Sequence, residues 1–541
     1  MMIWPGSGKR VASQQSATNP GASRTRMSPF LPVLAAIAGA GFSQLQSAEA
    51  AESPPSALSM EARITALIPS LEAYIATGMK AFDVPGLAVG IVAGDRLVYA
   101  KGFGVRSKTG GLPVGTRTVF QIGSTTKGFL SATMAIMADR GKFRWDDRVV
   151  DLYPDFRLKD AWVTREFRVF DLIAQRSGLP PYANDMLPIL GYDEKALIRS
   201  LRDVEPVSSF RSTFAYTNIT HLLAARIVAN VAGAADWNAV VRKELFDPLG
   251  MAETTQTAEA IETAPDHAEG YQPTPGGSIV VPFTALFPYA LGAAGDINST
   301  VEDVARWVRL QLGNGTFEGR RIVSPENLAF TRTAKVGVSD KLSYAMGWVV
   351  AQTPNGTVIW HNGGTTGFGA YIGFQLDRGI GVIVLTNQQN VGFPDAVGAW
   401  AFDRLLDNPT VDYAADKLKS LQAKFKADEA TYATPASPRP FPPLATLAGN
   451  FVNPSFGKLT LRVDGDAMIL AFQETGAELR LQPWDGDIFT ARLLPKGTFA
   501  QAVANLGDLP SGFAQFQMDA AGKLGSLRLS FDGQAYELRR E

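Results

Sequence analysis

The chain has 541 residues, 46% hydrophobic and 19% charged, with a formal net charge of −1. That length fits about three to four domain-sized units, and the composition is that of a folded chain with ample core material, not a disordered one. The near-zero charge lacks the basic excess of a nucleic-acid binder, and the absence of cysteine excludes disulfide frameworks, thiol nucleophiles, iron–sulfur clusters and Cys-based zinc sites.

The N-terminus reads as an export signal spanning residues 1–50. Lys9, Arg10, Arg24 and Arg26 precede an apolar run from Phe30 to Phe42, and Ala48-Glu49-Ala50 fits a small-x-small cleavage site. Met27 offers an alternative start, and a plain disordered leader is the competing reading. A run of about 13 residues is too short for a membrane span, and no later stretch is long enough. A periplasmic or secreted protein without a stable membrane span is therefore expected.

Residues 51–432 read as one mixed α/β unit. From Ser59 to Ala81, Ile64, Leu67, Ile68, Leu71 and Ile75 recur at helical spacing, with Pro69 able to kink or split the helix. Gly86–Val92, a Gly94-Asp95 turn and Leu97–Ala100 predict a β-hairpin. Between about 128 and 340, helices at Gly128–Arg140, His221–Ala232 and Val301–Leu312 alternate with Pro/Gly-rich connections. Short apolar strands return at Tyr344–Val350, Thr357–Trp360, Gly369–Leu376 and Gly381–Thr386, followed by helices near Asp395–Leu406 and Lys417–Thr431. Strands at both ends with helices between them predict one sheet assembled from distant segments.

Thr434–Pro443 holds five prolines in ten residues, which makes 433–443 a stiff linker. Beyond it, residues 444–541 alternate in short strands: Leu459–Val463, Ala467–Phe472, Leu479–Leu481, Phe489–Arg492, Phe513–Gln517 and Leu527–Phe531. Turns at Asp464-Gly465 and Asp485-Gly486 separate some of them, and a small up-and-down barrel is expected.

Three short motifs carry candidate chemistry. Ser124-Thr125-Thr126-Lys127 follows an extended stretch and opens a helix, so residues i and i+3 share one face. A serine hydroxyl is a weak nucleophile that needs a base, and lysine serves as one only if its pKa is depressed. The bland alternative is that Ser124 is an N-cap. Tyr216-Thr217-Asn218 precedes a helix; tyrosine relays protons, and an Asn amide offers a donor and an acceptor. Its alternative is a packed ring and a helix cap. His361-Asn362-Gly363-Gly364 ends a strand, where glycines allow close backbone approach. The Gly364 N–H can pair with that of Ser124 as an oxyanion hole, and His361 can set protonation or hold a substrate carboxylate. Its alternative is a glycine-rich turn with an exposed imidazole. The three histidines, His221, His267 and His361, never fall at His-x-x-x-His spacing, so no zincin-type site is expected.

Ser-x-x-Lys, Tyr-x-Asn and His-x-Gly in this order resemble the penicillin-binding proteins and serine β-lactamases. The likeness is to the class C-like branch, which also holds D-alanyl-D-alanine carboxypeptidases, D-aminopeptidases and family VIII-type esterases. Arg176-Ser177-Gly178-Leu179-Pro180, Phe246–Met251, Gly292-Ala293-Ala294-Gly295 and Gly363–Phe368 support it. The literal Lys108-Thr109-Gly110 is a decoy, since it precedes Ser124 and lies in a loop.

The resemblance implies an antiparallel sheet flanked by helices, an α-helical subdomain and a C-terminal lipocalin-like β-barrel. It implies that Ser124 is acylated, that Lys127 and Tyr216 act as coupled base and acid, and that Asn218 binds the acyl-side amide. It places His361, Asn362 and Gly363 at the substrate, with Ser124 and Gly364 at the oxyanion, and it requires no cofactor or metal. A short linear peptide is the leading substrate class. A carboxylesterase and an acylated sensor without turnover are the alternatives; a β-lactamase is a further reading, lowered by His for Lys in the third motif and by the extra barrel. Total size, export signal, absence of cysteine and a single terminal barrel further resemble the bacterial peptidases that cut linearised microcystin at its D-Ala–Leu bond.

Overall fold

A computed structural model describes residues 59–507, 509–519, 523–531 and 533–541. The candidate export signal lies outside the described residues.

Helix α1 (Met60–Phe82) buries Ile64, Leu67, Leu71, Ile75 and Phe82 on one stripe, and Pro69 sits within it without splitting it. Next comes the hairpin β1 (Gly86–Ala93) and β2 (Arg96–Gly104), turning at Gly94-Asp95 as expected. The chain then builds a helical region before returning to the same sheet through β3 (Val336–Gly337), β4 (Leu342–Tyr344), β5 (Val349–Thr353), β6 (Gly356–Gly364), β7 (Gly369–Gln375) and β8 (Ile380–Thr386). The sheet order is β2-β1-β8-β7-β6-β5-β4-β3, antiparallel throughout. The first hairpin and the last strand are thus joined at β1–β8, and the expected assembly from distant segments is what forms.

Both faces of this sheet are covered, which is why β1, β7 and β8 are buried along their full length. On one face Val89, Ile91, Val382 and Val384 pack with α1 and with the helix Phe393–Leu405. On the other, Ala88, Val92, Ile383 and Leu385 pack toward the helical region. There the helix Thr126–Asp139 is buried at every position from Thr126 to Met137, so it has no solvent face. It is the centre of the helical layer and carries the Ser-x-x-Lys motif at its start.

Two expectations need correcting. The single strand expected over Tyr344–Val350 is two strands, because Ala345–Trp348 turns with Gly347 at φ +80°. A side chain at Gly347 would place its Cβ 2.5 Å from the Lys127 carbonyl oxygen. All of Ala345, Met346 and Trp348 are buried, so the turn left no polar mark in the sequence. The middle region also contains a hairpin, Gly270–Thr274 with Gly277–Val281, where mostly helices and loops were expected.

The C-terminal part is a closed eight-stranded barrel whose strands neighbour one another in chain order. The six expected strands are present, and Gly449–Asn453 and Gln534–Arg540 close the circle through Phe451–Arg540 and Val452–Arg539. Alternate residues such as Phe451, Leu461, Leu470, Leu481, Phe489, Phe516, Leu529 and Leu538 are buried and fill the interior. Among the described residues, no helix is long and apolar enough to cross a membrane.

Candidate active site

Ser124 lies in a 3₁₀ turn, Gly123–Thr125, directly before the buried helix. The turn follows the short strand Phe120–Gln121 and is tied down by Ile122 N donating to Ile297 O at 2.9 Å. Gly123 has φ +51°, a conformation that favours glycine, and a Cβ there would lie 2.7 Å from Gly364 N. Gly363 is constrained from the other side, since its Cβ would lie 1.9 Å from Ile122 O. The two glycines therefore let β6 press directly against the serine turn. Beyond the pair Val349–Trp360, β6 has no partner from β5, so its edge at 361–364 is left for that turn.

Lys127 is fully buried, and its Nζ has three neighbours: Ser124 Oγ at 3.2 Å, Asn218 Oδ1 at 2.8 Å and Ala294 O at 2.7 Å. Burial pushes its pKa down to about 7, while the nearby Asp185 carboxylate acts in the opposite direction. Near neutrality a large fraction of Lys127 is thus an uncharged amine with two N–H donors and one lone pair. Asn218 Oδ1 and Ala294 O can only accept, so they take the two hydrogens, and the lone pair is left for the Ser124 hydroxyl.

Tyr216 packs its ring against this amine, with Nζ 4.7 Å from the ring centroid. Its hydroxyl is buried and makes no hydrogen bond of ordinary geometry. Burial raises its pKa well above the usual phenol value, and the neighbouring Ser124 hydroxyl offsets this only in part. Tyr216 is therefore a neutral phenol beside the Ser124 hydroxyl. Its backbone is held by Gln175, which bonds both flanking residues: Gln175 O accepts from Ala215 N at 2.9 Å and Gln175 Oε1 from Thr217 N at 2.6 Å.

Asn218 occupies the cap position of the helix Ile219–Ala232 but does not cap it with its side chain. Instead Oδ1 accepts from Lys127, and Nδ2 donates to Asp185 Oδ2 at 2.6 Å. The helix-cap alternative is thereby removed.

The third motif differs from expectation. His361 is buried, which removes the alternative of an exposed imidazole on a turn, and its Nδ1 lies 2.6 Å from its neighbour's carbonyl, Asn362 O. That carbonyl only accepts, so Nδ1 carries the proton, and Nε2 accepts from Tyr344 OH at 3.1 Å. Burial and the nearby Lys127 lower its pKa to about 3. A neutral imidazole with both nitrogens engaged does not hold a substrate carboxylate. Asn362, also expected at the substrate, turns its amide to Asp395 Oδ1 at 2.6 Å. Gly363 serves the approach of strand and serine turn, as described above. Lys108 of the decoy motif pairs with Asp83 at 2.8 Å and takes no part in the cluster.

Sequence reasoning missed Asp185, Tyr344, Gln175 and the Ala294 carbonyl. The last sits in Gly292-Ala293-Ala294-Gly295, which was noted as family-like without a role. Nothing local marks the other three, because each acts on a residue more than ten positions away.

A profile of the beta-lactamase family matches residues 71–405, more than half of the chain. The chain belongs to the beta-lactamase family. A profile of a domain of unknown function, DUF3471, matches residues 433–540 of this beta-lactamase-family protein. It is 25% identical over 475 residues to an unguisins hydrolase of Aspergillus campestris, covering 80% of this chain and 85% of the relative. It is 27% identical over 383 residues to penicillin-binding protein 4 of Amycolatopsis lactamdurans, covering 68% and 93%. Its fold is similar to that of the octameric penicillin-binding protein homologue from Pyrococcus abyssi. The TM-score is 0.57 at 24% identity, covering 87% of this chain and 99% of the other. It is thus a serine hydrolase of the beta-lactamase family with a barrel appended.

Proposed function

We propose that this enzyme is an exported serine peptidase that cleaves amide bonds of short linear peptides through an acyl-enzyme on Ser124. The observation that carries the reading is the Lys127 amine, whose two other neighbours are acceptors and whose lone pair faces Ser124 Oγ. Lys127 takes the serine proton as Oγ attacks the carbonyl. The backbone N–H groups of Ser124 and Gly364 meet the oxyanion, at the start of a helix whose dipole favours negative charge. The proton then passes by way of Tyr216 to the leaving nitrogen, the C–N bond breaks, and the amine departs. Water repeats the sequence on the ester and frees Ser124. Asn218 retains one unused hydrogen and one lone pair for the acyl-side amide.

A neutral phenol beside the nucleophile favours an amide over an ester, because an amine must be protonated to leave whereas an alkoxide needs less help. The name of the unguisins hydrolase supports hydrolysis as the outcome, rather than a stable adduct. A D-Ala–Leu bond, as in linearised microcystin, is the substrate to try first.

The test is mass spectrometry of one linear heptapeptide carrying D-Ala–Leu or L-Ala–Leu, beside a matched ester. Cleavage at D-Ala–Leu with continued turnover is expected. Intact peptides with a hydrolysed ester would make the protein an esterase. About one equivalent of product followed by none would make it an acylated sensor.

The pH dependence follows from Lys127, which acts as a base only when uncharged. As pH falls through about 7 the amine gains a proton, so kcat/KM is expected to drop about tenfold per pH unit below that point. His361 stays neutral over this range and adds no second limb. A pH–rate profile that is flat from pH 5 to 8 would contradict the assignment.

A further inference from the structure

Asp185, which accepts from Asn218, belongs to the turn-rich segment 181–192. Two of its residues, Tyr182 at φ +57° and Asn184 at φ +61°, hold left-handed conformations that side chains rarely adopt. Such a backbone persists only where surrounding contacts over-determine it. On the hydrolase side, Tyr182 N donates to Tyr216 O at 2.6 Å and Asn184 Nδ2 to Ser200 Oγ at 2.8 Å. Ala183, Leu187 and Leu190 are buried in the hydrophobic core, and further contacts come from the barrel. Gln534, first residue of the last barrel strand, uses both atoms of its amide. Its Oε1 accepts from Asn184 N at 3.0 Å, and its Nε2 donates to Pro181 O at 2.9 Å. Tyr536 OH fixes the amide by donating to the same Oε1 at 3.0 Å. At the far end of the segment, Tyr192 OH donates to Phe456 O at 2.6 Å, and Phe499 packs against Gly191.

We propose that the C-terminal barrel completes the active site, with Gln534 as a positioning residue that sets the 181–185 backbone and, through Asp185 and Asn218, the Lys127 amine. The chain of contacts is continuous: Gln534 to Asn184, its neighbour Asp185 to Asn218, and Asn218 to Lys127. This gives the DUF3471 segment a role without requiring any ligand in its filled interior. The proposal rests on the reading of Lys127 as the base.

The direction of the effect is defined. Asp185 is the group that raises the pKa of Lys127 against burial. If Gln534 is removed and Asp185 moves off, the amine loses that support, and the acid limb of kcat/KM shifts to lower pH. The test measures kcat/KM against pH for the full chain and for Gln534→Ala, Gln534→Met, Asp185→Asn and the Gln534→Ala/Asp185→Asn double variant. The substrate is the D-Ala–Leu peptide or the matched ester, whichever the wild type turns over. Both Gln534 variants are expected to lose roughly five- to tenfold in kcat/KM and to shift the limb in the same direction as Asp185→Asn. In the Asp185→Asn background, Gln534→Ala should add no further change, since the two act in series. Gln534→Met keeps the side-chain volume, so the comparison survives if Ala loosens the barrel.

A wild-type rate and limb in both Gln534 variants would overturn the proposal, and so would fully additive effects in the double variant. Lys127→Met separates the two levels of the argument. If it is inactive while the Gln534 variants behave as wild type, the barrel's role alone fails. If it keeps the wild-type limb, the base assignment fails and the barrel's role with it.

Discussion

Replacing Ser124 by alanine is expected to leave a folded protein that forms no acyl-enzyme. Nucleophile and base act as one unit, so Ser124→Ala and Lys127→Ala should each lower kcat by about 10,000-fold or more. The two variants should differ in stability. Ser124 contributes a small, nearly buried side chain, and losing its hydroxyl leaves the Lys127 amine with two acceptors. Lys127→Ala instead strips a donor from two buried acceptors, Asn218 Oδ1 and Ala294 O. An unpaired buried polar atom costs about 1–3 kcal/mol, partly offset because no amine need be buried. Steady-state rates, with thermal unfolding as the folding control, check both halves. Near-normal turnover in either variant would mean that another group is the nucleophile or the base.

Gly363→Ala should be the most damaging change outside the polar cluster. Its new Cβ would lie 1.9 Å from the Ile122 carbonyl oxygen, and a backbone atom cannot swing aside as a side-chain tip can. Either β6 or the serine turn must retreat, which separates the two segments that carry the proposed oxyanion donors, the Ser124 and Gly364 N–H groups. Losing one oxyanion donor costs about 100- to 1,000-fold in kcat. A loss of that size is expected, with a stability decrease of about 1–3 kcal/mol from the forced overlap. Gly94→Ala is the control, since a Cβ there would meet nothing within 4 Å despite the positive φ of the glycine. It should keep full activity. Equal activity in both variants would show that the spacing of turn and strand does not matter to catalysis.

The parts of the site legible in the sequence are those written locally. Ser124 and Lys127 sit one helical turn apart, and the order of the three motifs carried the family. The fold was legible where periodicity is clean, as in α1 and the β1–β2 hairpin. It was less so where everything is buried: the turn at Ala345–Trp348 lies inside an unbroken apolar stretch and reads as strand. His361 shows the other limit. Its neutrality and its bond to Tyr344 depend on which strands lie near β6 and on how deeply the site is covered, and neither is written beside it. Asp185 and the Ala294 carbonyl reach Lys127 from segments about 60 and 170 residues away in the chain, so only the folded structure brings them in. The barrel's closing strand was hidden because Gln534–Arg540 buries only Tyr536 and Leu538, too short an apolar pattern to mark a strand.

The most direct measurement of the central claim is to trap the covalent intermediate. The protein would be mixed with the matched ester, quenched in acid within the first turnover, digested and mapped by mass spectrometry. The account predicts an acyl mass on the peptide containing Ser124, absent in Ser124→Ala and chased away by longer incubation in the wild type. Turnover with no adduct on that peptide, or an adduct on a different residue, would contradict it.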